Sequence, residues 1–459
     1  MNRTIVLALL LSGCAAGPDY TRPALPVPAE FDNAATEGTK SIERNWWKAF
    51  QDPLLDGLVE RALSGNQDLV AASARVDQAI AVLGGIEAGG LPAIDARAGF
   101  ERRKYSTDIA ANPPAGTPRQ RDNAAAGLSL SYEIDVWGRA RRAREASQAM
   151  LQSGREALYA AELSVSALVV RTYAELRSVD TEWVASEDAV KAREESLRVA
   201  KLRESAGNAL LGEAARAESA RAAAITRLSM VRRQRSALEN LLGTLVGDPS
   251  LKIAPSQTAL VVPSAPAAGL PSSLLERRPD VRQAEQLAIS ANAQIGVAKA
   301  SAFPALTLTA GLGSESRELA GLFASPSATT AVGLSIEQNI LDWGRSGRVT
   351  EAAEAAAKVA AATYAQSVLD ALRETRDALV VLREAIIVSE ATERQAIAAE
   401  QLRNFAQKRF EAGEIGSAEF ADARVVYADS VSAVASARRD RIHAHVQLIK
   451  ALGGGYVGE

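Results

Sequence analysis

Gly127-Leu128-Ser129-Leu130-Ser131-Tyr132-Glu133-Ile134-Asp135-Val136-Trp137-Gly138-Arg139 and Gly333-Leu334-Ser335-Ile336-Glu337-Gln338-Asn339-Ile340-Leu341-Asp342-Trp343-Gly344-Arg345 decide the reading of this chain. Both stretches open Gly-Leu-Ser and close Trp-Gly-Arg, 206 residues apart with no gap between. In each, apolar side chains alternate with polar ones: Leu128, Leu130, Tyr132, Ile134 and Val136 against Ser129, Ser131, Glu133 and Asp135, then Val332, Leu334, Ile336 and Ile340 against Gly333, Ser335, Glu337 and Asn339. A period of two is the signature of a strand with one apolar and one wet face.

Working outward, each stretch has a partner upstream. Ile94, Ala96, Ala98 and Phe100 alternate with Asp95, Arg97, Gly99 and Glu101; Leu306, Leu308, Ala310 and Leu312 alternate with Thr307, Thr309 and Gly311. These upstream segments follow Leu91-Pro92 and Phe303-Pro304, which share an offset of 212 with Asn66-Gln67-Asp68-Leu69 and Arg278-Pro279-Asp280-Val281, so the first copy carries six extra residues before Gly127. A repeat of about 200 residues is too long for a solenoid unit and means a whole structural half used twice. The halves are 51–255, with a β-hairpin over 94–136 and a long helical hairpin over 138–246, and 256–459, with a β-hairpin over 304–341 and a long helical hairpin over 344–452. The turn-rich stretches 106–121 (Asn112, Pro113, Pro114, Gly116, Pro118) and 314–329 (Gly321, Ser325, Pro326, Ser327) read as exposed loops within the hairpins.

Downstream of each Trp-Gly, residues 138–205 and 344–412 contain no proline and almost no glycine. Each reads as one helix of roughly 100 Å, with apolar residues at 3–4 spacing (Leu158, Ala161, Val165, Val169, Leu176, Val179, Trp183; Val368, Leu372, Leu379, Leu382, Ile386) as in a coiled coil. Ala206-Gly207 and Ala412-Gly413 end them. Shorter helices return over about 208–246 and 415–452, and others precede the hairpins over about 66–90 and 278–301; the short pieces stack end to end along the long ones. At the other end, Trp137 and Trp343 each end a strand, where an indole suits a membrane–water interface. Gly138 and Gly344 permit a sharp bend, and Asp135 and Asp342 are placed to cap the helices that follow.

The N-terminus reads as targeting rather than fold. Arg3 precedes the apolar Ile5 to Leu11, and the single cysteine, Cys14, closes a small-residue run, Ser12-Gly13. This resembles a bacterial lipobox: residues 1–13 form the signal peptide, Cys14 is acylated and carries palmitate, and Ala15 in place of Asp implies release to the outer membrane. Residues 14–50 form a lipidated, extended lead-in, because Pro18, Pro23, Pro26 and Pro28 disfavour a helix. Trp46-Trp47-Lys48-Ala49-Phe50 with Asp52-Pro53 opens the helical region.

Four strands of membrane-crossing length cannot close a barrel, and open edges are not tolerated in lipid. Two chains would give eight strands and a filled interior; three give twelve and a lumen. A homotrimer is expected, of α+β membrane class: mostly long helical hairpins, with four transmembrane strands per chain.

Enzyme chemistry finds little support. With 459 residues the chain has only two histidines, His443 and His445, which point about 200° apart on a helix and do not converge on a metal. No phosphate loop, nucleophile elbow or zinc-ligand cluster is present; no catalytic residue, cofactor or metal is expected. A net charge of −3 gives no reason to expect nucleic acid, and no apolar run reaches the roughly 20 residues of a spanning helix.

Cys14 with Gly17-Pro18-Asp19-Tyr20, Trp46-Trp47 with Asp52-Pro53, Arg278-Pro279-Asp280-Val281, Ile295-Gly296, Phe303-Pro304, both Trp-Gly-Arg corners and Arg409-Phe410-Glu411-Ala412-Gly413 occur in one order over essentially the full chain. In this the chain resembles the TolC/OprM outer-membrane efflux proteins, and its cysteine resembles the lipoprotein OprM/NodT branch. The resemblance implies a trimeric duct with a twelve-stranded barrel in the outer membrane above a periplasmic α-helical barrel. It implies a periplasmic adaptor and an inner-membrane transporter, often of the RND type, as partners, and passive conduction of drugs or other solutes. Asp422, in Asp422-Ala423-Arg424, looks like the aspartate that rings the closed periplasmic tip, with Glu419 beside it. Three like charges around one axis repel, and would favour cations or ease opening. Phe420 and Ala421 depart from the family's usual leucines, which leaves the lining register open. Gly207 at the first tip, and Gly413, Glu414, Gly416 and Ser417 at the second, resemble adaptor-docking turns. Two other readings are the outlet of a type I protein secretion system and a lipid-anchored periplasmic coiled-coil adaptor; the second leaves the strands and the duplication unexplained.

Overall fold

The computed structural model describes residues 15–26, 28, 42–106, 120–208, 212–266, 271 and 274–455. The signal peptide, Cys14 and residues 107–119 of the first hairpin loop lie outside the described residues. The described chain forms two compact units, one of residues up to Ala24, Val76–Gly154 and Ala284–Tyr364, the other of Leu25–Arg75, Arg155–Gln283 and from Ala365 on.

The first unit holds one antiparallel sheet in the order β1 (Ala93–Lys104), β2 (Gln120–Glu133), β3 (Ala305–Ser316), β4 (Ala328–Glu337). Ala93 lies opposite Ser131, Leu128 opposite Leu312, and Ala305 opposite Glu337. The register aligns the alternation across all four strands. Ile94, Leu130, Ala310 and Val332 form one row on the apolar face, and Tyr132, Leu308 and Leu334 another. Much of that face is uncovered within the chain, Ile94, Leu128, Leu312, Leu334 and Ile336 among it. The hairpins differ from the expected 94–136 and 304–341: their strands close at Glu133 and Glu337, before the tryptophans. Just past these ends the carboxylates of Asp135 and Asp342 accept N–H groups at the start of the helices that follow. Conversely β2 begins at Gln120, inside the expected loop. Ladder pairing continues past the apolar rows, secured by the Arg102–Asp122 fork at 2.7 and 2.6 Å. The expected loop 314–329 likewise contains the ends of β3 and β4, with two 3₁₀ turns, Leu319–Gly321 and Ser325–Ser327, between them.

Seven α-helices of more than four residues are described: α1 (Pro53–Gly65), α2 (Gln67–Gly89), α3 (Arg139–Ser205), α4 (Glu213–Leu245), α5 (Pro279–Ala300), α6 (Arg345–Glu411) and α7 (Ser417–Ala451). α3 and α6 are unbroken over 67 residues each, as the proline-free stretches require. α2 corrects one expectation. By length and composition alone it is apolar enough to cross a membrane. Arg75 and Asp77 break the run without excluding it.

The core of the second unit gathers around the Trp46–Phe50 turn. Trp46 packs edge-on to Trp47 and Phe50, and these meet Leu55, Leu58, Val59, Val169, Val170, Tyr173, Leu176, Leu242, Val446 and Ile449. Asp52 starts α1 by accepting from Leu54 N and Leu55 N at 2.9 and 3.1 Å with Pro53 behind it, and also accepts the Tyr173 hydroxyl at 2.8 Å. Asp180, only 1% exposed, fixes the segment after α4: it accepts from Arg235 Nε at 2.7 Å, Arg177 Nη1 at 3.0 Å and Ser256 N at 3.1 Å. Arg235 then donates to Ile253 O at 2.6 Å. Asn66 donates to Leu245 O at the end of α4 (3.0 Å), and Arg278 donates to Ala451 O at the end of α7 (3.1 Å), each answering an orphan helix carbonyl.

Candidate functional site

Two regions carry the side chains that the sequence singles out: the corners where the sheet meets the long helices, in the first unit, and the tips of the helical hairpins, in the second. At the first corner, Asp135 accepts from Ala140 N and Arg141 N, both at 3.0 Å, at the start of α3, where helix N–H groups have no other partner. Gly138 sits at φ +80°, which a side chain would resist. The Trp137 ring stacks on Phe303 with centroids 4.7 Å apart, and its Nε1 donates to Pro304 O at 2.8 Å. At the second corner, Asp342 accepts from Gly344 N and Ser346 N, both at 2.9 Å, and from the Ser346 hydroxyl; these donors hold its carboxyl below the usual range. Here the indole differs: Trp343 stands 90% exposed.

The lead-in docks at the first corner. Ala16 N donates to Trp137 O at 2.9 Å, and the buried Arg142 fork reaches Ala16 O at 3.3 Å and Asp19 Oδ1 at 2.7 Å. Gly17 lies so close to α5 that a Cβ on it would fall 2.6 Å from Gly296 Cα. Arg22 forms a fork with Glu285, at 2.5 and 2.8 Å. Nearby, burial pushes the Tyr20 hydroxyl up to about 12. None of this pairing was legible from the prolines of the segment, which indicate only that it is extended.

Both hairpin tips close in the same way. Asn208 N reaches Arg203 O at 2.8 Å across Gly207 (φ +71°), and Glu414 N reaches Arg409 O at 2.9 Å across Gly413 (φ +76°). This is the Schellman closure that glycine at C′ permits. Residues 209–211 of the first tip lie outside the described residues. Gly416 precedes α7, and Ser417 is its first residue. Phe410 and Phe420 stack 5.1 Å apart beneath the second tip.

The acidic residues there are not bare. Asp422, with a side chain 65% exposed, accepts from Arg193 Nη1 of α3 at 2.6 Å. Arg424 crosses the same pair of helices in the opposite sense to reach Asp188 at 2.5 Å. Arg409 bridges Glu414 at 3.2 Å and Glu419 at 3.5 Å. The arginine partners of the two aspartates were missed by the sequence reading, since 229 and 236 residues separate the pairs. His443 and His445 hold no ligand geometry: His443 Nε2 meets Arg171 O at 3.0 Å, His445 lies edge-on to Phe50, and burial lowers both pKa values. Among the described residues no three His, Cys, Asp or Glu side chains gather as metal ligands. These contacts fasten strand to helix at the corners and helix to helix at the tips.

Comparison with known proteins agrees. The family model described as outer membrane efflux protein matches residues 58–248 and 270–454. The pyoverdine export outer membrane protein OpmQ of Pseudomonas aeruginosa is 32% identical, with 99% of this chain and 97% of the relative covered. The toluene efflux pump outer membrane protein TtgF of Pseudomonas putida is 30% identical over 99% and 96%. The crystal structure of the Campylobacter jejuni CmeC outer membrane channel superposes with a TM-score of 0.91 at 26% identity, over 97% of this chain and 96% of that one. The chain belongs to the outer membrane efflux protein family.

Proposed function

We propose that three copies of this chain form the outer-membrane duct of a tripartite efflux pump, a twelve-stranded barrel continued by a ring of helices, through which small organic solutes pass without catalysis. The carrying observation is a four-stranded sheet whose outer strands, β1 and β4, each lack a second neighbour among the described residues, and whose apolar face lies open. In hydrocarbon every backbone group must be paired, so such a sheet requires closure by further copies. The helices support the same reading. Leu369, Val380, Ile387, Leu402 and Phe405 fall within about 60° of one line on α6 and are 40 to 63% exposed, an apolar stripe that a neighbouring helix would cover.

The chain is one half used twice, 51–255 and 256–459. In support, Asn66 and Arg278 occupy matching sequence positions and answer the last carbonyls of α4 and α7 respectively. Cys14 is the lipid anchor, supported by the docking of Ala16 on Trp137. Trp137 and Trp343 mark the membrane interface. The tips at Gly207, Gly413, Glu414, Gly416 and Ser417 meet a periplasmic adaptor, which links the duct to an inner-membrane transporter of RND type. The relatives' names, pyoverdine export and toluene efflux, favour small molecules over secreted protein as cargo.

Asp422 and Glu419 form the periplasmic gate, and the Arg193–Asp422 and Arg424–Asp188 pairs bind α3 to α7 there. Asp422→Ala frees one fastening and removes one charge per chain. In planar bilayers this variant is expected to conduct small ions in its resting state more than the unaltered channel does. Unchanged conductance counts against the gate.

A further inference from the structure

The two hairpins share one rule. β1 and β3 are twelve-residue strands 212 positions apart, and the segments following β2 and β4 correspond at 206. Applied to the pair Ala93–Ser131, those shifts give Ala305–Glu337, which is an observed pair. Between the hairpins lies a different junction, β2 beside β3: the second strand of one hairpin against the first strand of the next. The sheet's edges, β4 and β1, are the same two kinds of strand, unpaired among the described residues. The β2–β3 junction is therefore a template for the contact between chains, and the shifts carry its register across. Ser131–Thr309 becomes Glu337–Arg97; Leu128–Leu312 becomes Leu334–Phe100; Leu130–Ala310 becomes Ile336–Ala98. Beyond the strands, the bond from Ile134 N to Leu306 O becomes one from Ile340 N to Ile94 O. The Trp137 contacts with Phe303 and Pro304 become contacts of Trp343 with Leu91 and Pro92.

We infer that β4 of one chain pairs antiparallel with β1 of a second copy, Glu337 opposite Arg97, with Trp343 seated on that copy's Leu91 and its Nε1 bonded to Pro92 O. This rests on the self-assembled barrel proposed above and specifies its seam.

Two observations that took no part in deriving the register agree with it. The first is charge. Arg97 and Glu337 form no ion pair within their own chain among the described residues. The template positions, Ser131 and Thr309, are neutral. Opposite charges appear at this row only where the shifted register brings them face to face, at a cross-strand Cβ separation of about 5 Å. A slip of one residue would set Glu337 against Ala96 or Ala98 and turn it toward the apolar face. The second is exposure. Trp343, Ile340 and Leu91 stand uncovered in the single chain, whereas the template's Trp137 is stacked and hydrogen-bonded.

The test uses the full chain in lipid, carrying Glu337→Cys together with Arg97→Cys, oxidised with copper phenanthroline. Covalent dimers and trimers are expected on reducing-agent-free denaturing gels. Each single variant, and Glu337→Cys combined with Asp95→Cys or Gly99→Cys two residues out of register, is expected to cross-link far less. Glu337→Arg should lower the recovery of trimer several-fold, and adding Arg97→Glu should restore it. Stronger cross-linking to position 95 or 99, or none at 97 in trimers that still conduct, overturns the seam while leaving the channel reading intact. An unaltered chain that neither oligomerises nor conducts overturns both.

Discussion

Asp180 shows how much of this architecture hangs on single polar groups. Its carboxylate answers two arginines and a backbone N–H at 1% exposure, so deleting it takes from Arg177 its one paired carboxylate among the described residues and leaves the buried Arg235 with the Glu239 carboxylate alone, at 3.6 Å. Removing one partner of such a network costs about 3 kcal/mol or more. Asp180→Ala should lower the urea midpoint of the solubilised protein accordingly, whereas loss of an exposed partner, as in Glu393→Ala opposite Arg438, should change it by well under about 1 kcal/mol. His445 gives the pH dependence. Burial against Phe50, with Arg441 adding a smaller push, lowers it from 6.5 to about 4. The folded protein thus keeps this ring neutral where the unfolded chain protonates it. The stability it contributes is complete above about pH 6.5, falls as the pH drops toward 4, and is constant below. The full swing is roughly 3 kcal/mol. His445→Leu should shrink the difference between unfolding midpoints at pH 7 and pH 4, and an undiminished difference would place the acid sensitivity elsewhere.

At the scale of elements, what the sequence makes legible is what local chemistry decides. The bounds of α3 and α6 fall within a residue or so of expectation, because Asp135 and Asp342 cap them and glycine in the left-handed region ends them. The strand ends were less legible. The ladder runs past the apolar rows into Gln120–Asn123, where pairing is held by charge and backbone, with no alternation of hydrophobicity to reveal it. The docking of the lead-in on α5 and the Arg193–Asp422 pairing were not legible at all, since groups hundreds of residues apart carry no local signal. One prediction belongs here. Gly413→Val forces a β-branched side chain into φ +76°, which costs about 1–2 kcal/mol. The second tip should then lose amide-exchange protection over 409–417, while α6 above it is unaffected. Unchanged protection would show that the closure does not depend on that conformation.

For the whole molecule, the proposed three-chain duct rests on the apolar surface and the strand edges that a single chain leaves open among the described residues. The family supplies the outer-membrane location. The β1 and β4 edges, unpaired among the described residues, and the apolar stripe on α6 support the proposed neighbours, and in the proposed duct twelve strands are the smallest set of such chains that leaves a lumen. The most direct measurement is the mass of the purified protein in detergent, by light scattering with the detergent subtracted, taken on the same sample that is inserted into planar bilayers. Three chains per particle and discrete conductance steps are expected; a single-chain particle that inserts and conducts would contradict the account.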